Sequence, residues 1–125
     1  MERLVLPEPL RGAMIAHAQT GWPEEVCGLL AGHDDHATEW HPGINVSPTP
    51  AVTYELDVDT LFKQVAFEEA GLTLVGIYHS HPQGPETPSV TDIERAFYPD
   101  AVYLICSLAE RVRPVLRGFR IVAGR

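Results

Sequence analysis

Lysine is almost missing from this chain. Lys63 is the only one, and with the arginines the basic total reaches nine against 17 acidic residues, a formal net charge of −8. That balance argues against nucleic acid as the main partner, because binding a phosphate backbone needs a basic face. Cysteine is equally scarce. Cys27 and Cys106 each sit inside an apolar run, VCGLLAG and VYLICSL, with no disulfide framework around them. Both thiols are expected to pack as small hydrophobes. Apolar runs stop far short of the roughly 20 residues that cross a bilayer. The opening stretch MERLVLPEPL has neither the positive start nor the apolar core of a secretory signal. The expectation is a cytoplasmic protein in a reducing compartment, without membrane contact. Repeats, low-complexity tracts and linkers are also missing, so 125 residues that are 45% hydrophobic read as one domain over 1–125.

Five of the nine basic residues fall in the last fifteen positions: Arg111, Arg113, Arg117, Arg120 and Arg125. They fit a docking patch for an acidic partner, or a solvated edge strand whose charges discourage further pairing. The edge strand is the preferred reading.

Periodicity supplies the elements. Residues 7–20 read as a helix, with Pro9 in the first turn, Leu10, Ala13, Met14 and His17 on one face, and Gly21 at the end. Residues 25–31 read as a buried strand, 33–37 as a polar turn and 39–41 as a short strand. The proline-rich stretch 42–50 reads as a loop, and 52–56 as an extended segment. A second helix is expected over 58–70, capped by Asp57 and followed by Gly71. Its stripe of Val58, Leu61, Phe62, Val65 and Ala66 is expected to face the core. The nearly unbroken apolar run 72–78 predicts a strand covered on both faces. A loop over 82–88, a short helix over 90–97 and a final hairpin of strands 101–108 and 112–119 complete the chain. The order predicts an α/β (α+β) domain, a mixed sheet sandwiched by two main helices.

The stretch GIYHSHPQGPETPSVTD, residues 76–92, carries the chemistry. Side chains alternate along a strand, so His79 and His81 point the same way and converge at its end. Asp92 follows eleven residues after His81, and the intervening loop can fold it back over the strand end. Two imidazoles and one carboxylate leave a fourth tetrahedral position open, the arrangement of catalytic rather than structural zinc. Zinc lowers the pKa of a coordinated water toward roughly 7 and so supplies hydroxide at neutral pH. Plainer explanations exist. A histidine pair at a strand end is often only polar surface, and Ser89 with Asp92 has the spacing of a capping box that merely starts a helix.

Glu25 in E-V-C-G-L-L, His79-Ser80-His81 and, after seven intervening residues, Ser89-Val90-Thr91-Asp92 together resemble the signature of the JAMM, or MPN-plus, zinc metalloproteases. The resemblance covers nearly the whole chain and implies that family's cytidine-deaminase-like fold. It also implies one Zn2+ per chain held by His79, His81 and Asp92. Glu25 is then the general base that later protonates the leaving amine, and Ser89 the hydrogen-bond donor to the oxyanion. Glu24 competes for the base role. The family's glutamate stands two before the Cys-Gly pair, here Cys27-Gly28, which favours Glu25. The implied reaction is hydrolysis of a peptide or isopeptide bond at the C-terminal tail of a ubiquitin-like or sulfur-carrier protein. The length leaves no room for large insertions, as in a minimal prokaryotic member.

Asn45 and the following SPTPAVTYEL resemble the family's segment beside the substrate groove, where a tail would lie alongside as an added strand. His17, His33, His36 and His41 lack partners at ligand spacing and read as surface or helix-edge groups. Trp22 and Trp40 read as partial core. The rival readings are a non-catalytic MPN-type scaffold, which typically lacks the ligands, and another zinc hydrolase. The deaminase P-C-x-x-C element is absent, and Pro82-Gln83 after His81 breaks the H-x-H-x-D-H pattern of β-lactamase-like enzymes. Cell-wall peptide remains an alternative substrate class. The oligomeric state stays open, a dimer included.

Overall fold

The computed structural model describes residues 3–122. In chain order the elements are α1 (Glu8–Gly21), β1 (Cys27–His33), β2 (His36–Pro42), α2 (Val58–Glu69), β3 (Thr73–His81), α3 (Val90–Glu94), β4 (Val102–Ser107) and β5 (Val115–Phe119). The strands form one sheet in the order β2-β1-β3-β4-β5. All pairs are antiparallel except β3 with β4, so the sheet is mixed.

Alternation along the strands divides the core in two. Leu30, Tyr78, Leu104 and Cys106 face one way and pack with Met14 and Ala18 of α1. Leu29, Ile77 and Tyr103 face the other way and meet Leu56, Ile93 and Ala96. Thus α1 covers one face, whereas α2, which packs on β1 and β3, together with the segment before it and the crossover containing α3, builds the second, so the two main helices sandwich the sheet as expected. Tyr78 ties the first layer down by donating its hydroxyl to the carbonyl of Met14 at 2.9 Å. Cys27 and Cys106 are both buried and free.

Several expected boundaries move. β1 begins at Cys27, leaving Glu25 just before the strand, and β2 runs the full length from His36 to Pro42. Residues 52–56 are not a strand. Ala51 and Val52 lie in a turn, and only Leu56 bridges back, to Asn45. α3 ends at Glu94, three residues short of Phe97, and β5 starts at Val115 rather than 112. β5 is one of the sheet's two outer strands, in keeping with an arginine-bearing edge, and Arg111 lies over the Trp22 ring at 4.0 Å. Arg125 falls outside the described residues.

α2 departs further. Asp57 caps it as expected, accepting from the Thr60 N–H, and Gly71 follows with φ of +85°. The helix, however, buries Thr60 and Phe67 and turns Val58, Phe62 and Val65 to solvent, exposed by 62, 65 and 56%. The apolar stripe is real, but it faces outward. Ala13 of α1 is likewise exposed, with Met14 and Ala18 taking the buried positions.

Candidate metal centre

The centre forms where β3 meets its parallel neighbour β4 near the carboxyl ends of both strands, the usual place for a site in an open α/β sheet. His79 and His81 leave β3 on the same face, and both are buried. The loop after His81 returns through α3, whose first turn carries Asp92. The Oδ2 of Asp92 lies 3.1 Å from Nε2 of His79 and 3.0 Å from Nε2 of His81, and the two imidazole nitrogens are 3.0 Å apart. Donor atoms around a tetrahedral zinc with bonds of roughly 2.0–2.1 Å stand about 3.3–3.4 Å apart. The triangle is close to that size, so the donors fit a small divalent cation.

The tautomer of His81 is set locally. Its Nδ1 donates to the Pro85 carbonyl at 2.8 Å, so in the neutral ring Nε2 keeps a lone pair aimed at the other donors. Burial pushes Asp92 upward, but the histidines beside it, when protonated, and the Ser89 N–H override it and hold the carboxyl well below the ordinary range. His79 is lowered, first by its burial. His81 is desolvated as well, but its bonds to Asp92 and Pro85 outweigh that and raise it.

Glu25 belongs to the same cluster. Its carboxylate and the two histidines place one donor atom each within 4.8 Å of one another, a group able to hold a metal ion. Glu25 is only 5% exposed, and its Oε1 has no hydrogen-bond partner among the described residues. Desolvation raises its pKa from 4.5 to about 7; His81 opposes the shift and Asp92 adds to it. Glu24 points to solvent.

Ser89 caps α3 reciprocally. Its Oγ accepts the Asp92 N–H at 3.0 Å, while its own N–H donates to Asp92 Oδ2 at 2.9 Å. The capping bond uses the hydroxyl as an acceptor, which leaves its proton to donate elsewhere.

A groove of about 610 Å³ starts at Asp92 and runs between two walls. One carries Tyr54, Leu56, Val58 and Leu61, the other Arg95 and Phe97. The loop forming the first wall is pinched shut at Asn45, which donates to the carbonyls of Glu25 and Thr53 and accepts from the N–H groups of Ser47 and Glu55. A second cavity of about 450 Å³, lined by Leu4, Leu104, Leu116 and several arginines, lies on the α1 face and has no part in this centre.

The other histidines stay apart from it. His33 and His36 are exposed, His41 leans on Phe67, and His17 lies edge-on to Trp40. The last two are more covered than surface groups, because each packs on an aromatic ring. Trp22 and Trp40 are partly buried against the α1-side core. Sequence reasoning did not single out Tyr54, whose ring stacks on His79 with centroids 4.4 Å apart. Only its membership of the groove segment hinted at it.

A mixed α/β sheet that brings two imidazoles and two carboxylates together beside a groove defines a protein of the class whose centre is compatible with a metal ion. Residues 7–121 match the family described as prokaryotic homologs of the JAB domain. The chain belongs to that family. It is 47% identical over 112 residues to a desampylase of Haloferax volcanii, spanning 84% of this chain and 81% of that one. It is 40% identical over 124 residues to a CysO-cysteine peptidase of Mycobacterium tuberculosis, spanning 97% and 84%. A solution structure of a Desulfitobacterium hafniense protein superimposes with a TM-score of 0.82 at 34% identity, covering 94% of this chain and 84% of that one.

Proposed function

We propose that this protein is a zinc-dependent peptidase that hydrolyses a peptide or isopeptide bond at the C-terminal tail of a ubiquitin-like or sulfur-carrier protein. One observation carries the reading. Three donor atoms lie within 3.1 Å of one another beside a buried carboxylate whose Oε1 has no hydrogen-bond partner among the described residues, and one of the three, on Asp92, belongs to a residue that lines the groove. The relatives named as a desampylase and a CysO-cysteine peptidase support the reaction class.

His79, His81 and Asp92 would hold the zinc, through Nε2, Nε2 and Oδ2. When bound, zinc supplies a Lewis acid and makes water a usable nucleophile near neutral pH. Glu25 takes the proton from the attacking water. Its pKa of about 7 suits a group that must accept a proton and then release it to the departing amine. The Ser89 hydroxyl donates to the carbonyl oxygen as negative charge develops there. The tail lies in the groove between Tyr54 and Phe97, and the folded body of the tail-bearing protein rests on the outward stripe of α2. That stripe is contiguous with the groove, because Val58 lines both.

The test uses a ubiquitin-like protein joined through its terminal glycine to a reporter amine, incubated with the zinc-loaded chain. Release of the reporter is expected, and it should stop with a chelator and in Glu25→Gln, which keeps its zinc. Undiminished release by Glu25→Gln would remove the proposed base.

A further inference from the structure

A histidine that binds metal through one nitrogen ordinarily has its other N–H tied to an acceptor, which fixes the angle of the ring. His81 follows this pattern through Pro85. His79 does not. Its Nδ1 is buried and has no hydrogen-bond partner among the described residues. What it has instead is an aromatic face. The Tyr54 ring lies against the imidazole at a centroid distance of 4.4 Å and an interplanar angle of 22°.

The placement of Tyr54 is itself determined. The residues on either side of it are both gripped by Asn45, whose Nδ2 donates to the Thr53 carbonyl at 3.0 Å and whose Oδ1 accepts the Glu55 N–H at 3.1 Å. The same Nδ2 donates to the Glu25 carbonyl at 2.9 Å. One carboxamide therefore locks together the backbone of Glu25 and the ring that covers His79. Thr53 is steadied further by its hydroxyl, which contacts those of Ser47 and Thr49.

We infer that Tyr54 is a positioning residue for the metal centre, its ring fixing His79 by stacking where His81 is fixed by a hydrogen bond, with Asn45 holding Tyr54 in place. The inference rests on the metal-centre reading above. Tyr54 also lines the groove, so the same ring borders both His79 and the space next to it.

The role belongs to the flat face and not to the hydroxyl, and this separates it from simple filling of space. Tyr54→Phe keeps the face, whereas Tyr54→Leu keeps apolar bulk without it. Zinc affinity, measured by competition with a chromophoric chelator, is expected to stay within about twofold of wild type in Tyr54→Phe. In Tyr54→Leu it should fall about tenfold or more. Equal affinities in the two variants would overturn the inference, as would a loss in Tyr54→Phe. Should Tyr54→Leu fail to fold, wild-type NMR decides. The His79 ring protons are expected to be shifted upfield by the tyrosine face, and unshifted resonances would overturn the stacking. A wild-type chain that takes up no zinc would instead bring down the metal-centre reading along with it.

Discussion

The hydroxyl of Ser80, buried between the two histidines in sequence but on the opposite face of β3, accepts the backbone N–H of Val26 at 2.9 Å. The Ser80 N–H in turn donates to the Val26 carbonyl at 3.0 Å. This pair closes the ladder between β1 and β3 one residue beyond Cys27, whose Cα partner is His79. It fixes the chain where Glu25 enters the site. The middle residue of H-S-H thus holds the backbone next to the proposed base from behind.

Ser80→Ala should therefore leave a buried N–H unsatisfied, at a cost of about 1–3 kcal/mol. Urea unfolding should show that loss, and kcat should fall while zinc content stays at one per chain. Unchanged stability would mean that Val26 finds another acceptor.

Glu25 makes the metal-free protein sensitive to pH. Its folded pKa, about 7, lies above its ordinary 4.5, so the folded state binds more protons than the unfolded state between those values. The resulting stability is fully present below about 4.5 and is lost as the pH rises through about 7. Chelated wild type should lose more stability than chelated Glu25→Gln between pH 5 and 8. Parallel denaturation profiles would contradict this.

Asp92 both holds the first turn of α3 and stands 3.0 and 3.1 Å from the two imidazoles. Asp92→Ala is expected to lose zinc by metal analysis and to lose activity with it. Full occupancy would make Glu25 the third ligand alongside the histidines.

Ser89→Ala removes the cap and the proposed oxyanion donor together. A fall in kcat of roughly 10²–10³ is expected on the scale of other oxyanion donors, with KM little changed. Ser89→Asn keeps a capping group but places its donor elsewhere. Recovery of stability without recovery of kcat would separate the two roles.

Phe62, 65% exposed on the outward stripe of α2, is assigned to docking rather than chemistry. Phe62→Glu should raise KM for a full-length protein substrate about tenfold and leave kcat unaltered. For a short tail peptide, KM should not move. An equal effect on both substrates would place Phe62 elsewhere in the mechanism.

Much of this centre was legible before any fold was known, for local reasons. The alternation of a strand sends His79 and His81 the same way whatever surrounds them, and the spacing from Ser89 to Asp92 is that of one helical turn. Asp57 and Gly71 mark the ends of α2 because capping and left-handed backbone are properties of a few neighbouring residues. The choice between Glu24 and Glu25 was legible only through the family resemblance. Physically it depends on how β1 registers against β3, a contact between residues some fifty positions apart.

Long-range packing governed the rest. Helical periodicity reveals that Val58, Phe62 and Val65 share a face, but not whether that face meets the sheet. The connections at either end of α2 turn Thr60 and Phe67 inward instead. Likewise, nothing local places Tyr54 on His79. That contact exists because Asn45 closes its loop against the backbone of Glu25, bringing two segments of the chain to one point where the His79 Nδ1 has no hydrogen-bond partner among the described residues. Residue identity and short spacing supplied the candidate ligands, and only the folded chain could supply the walls around them.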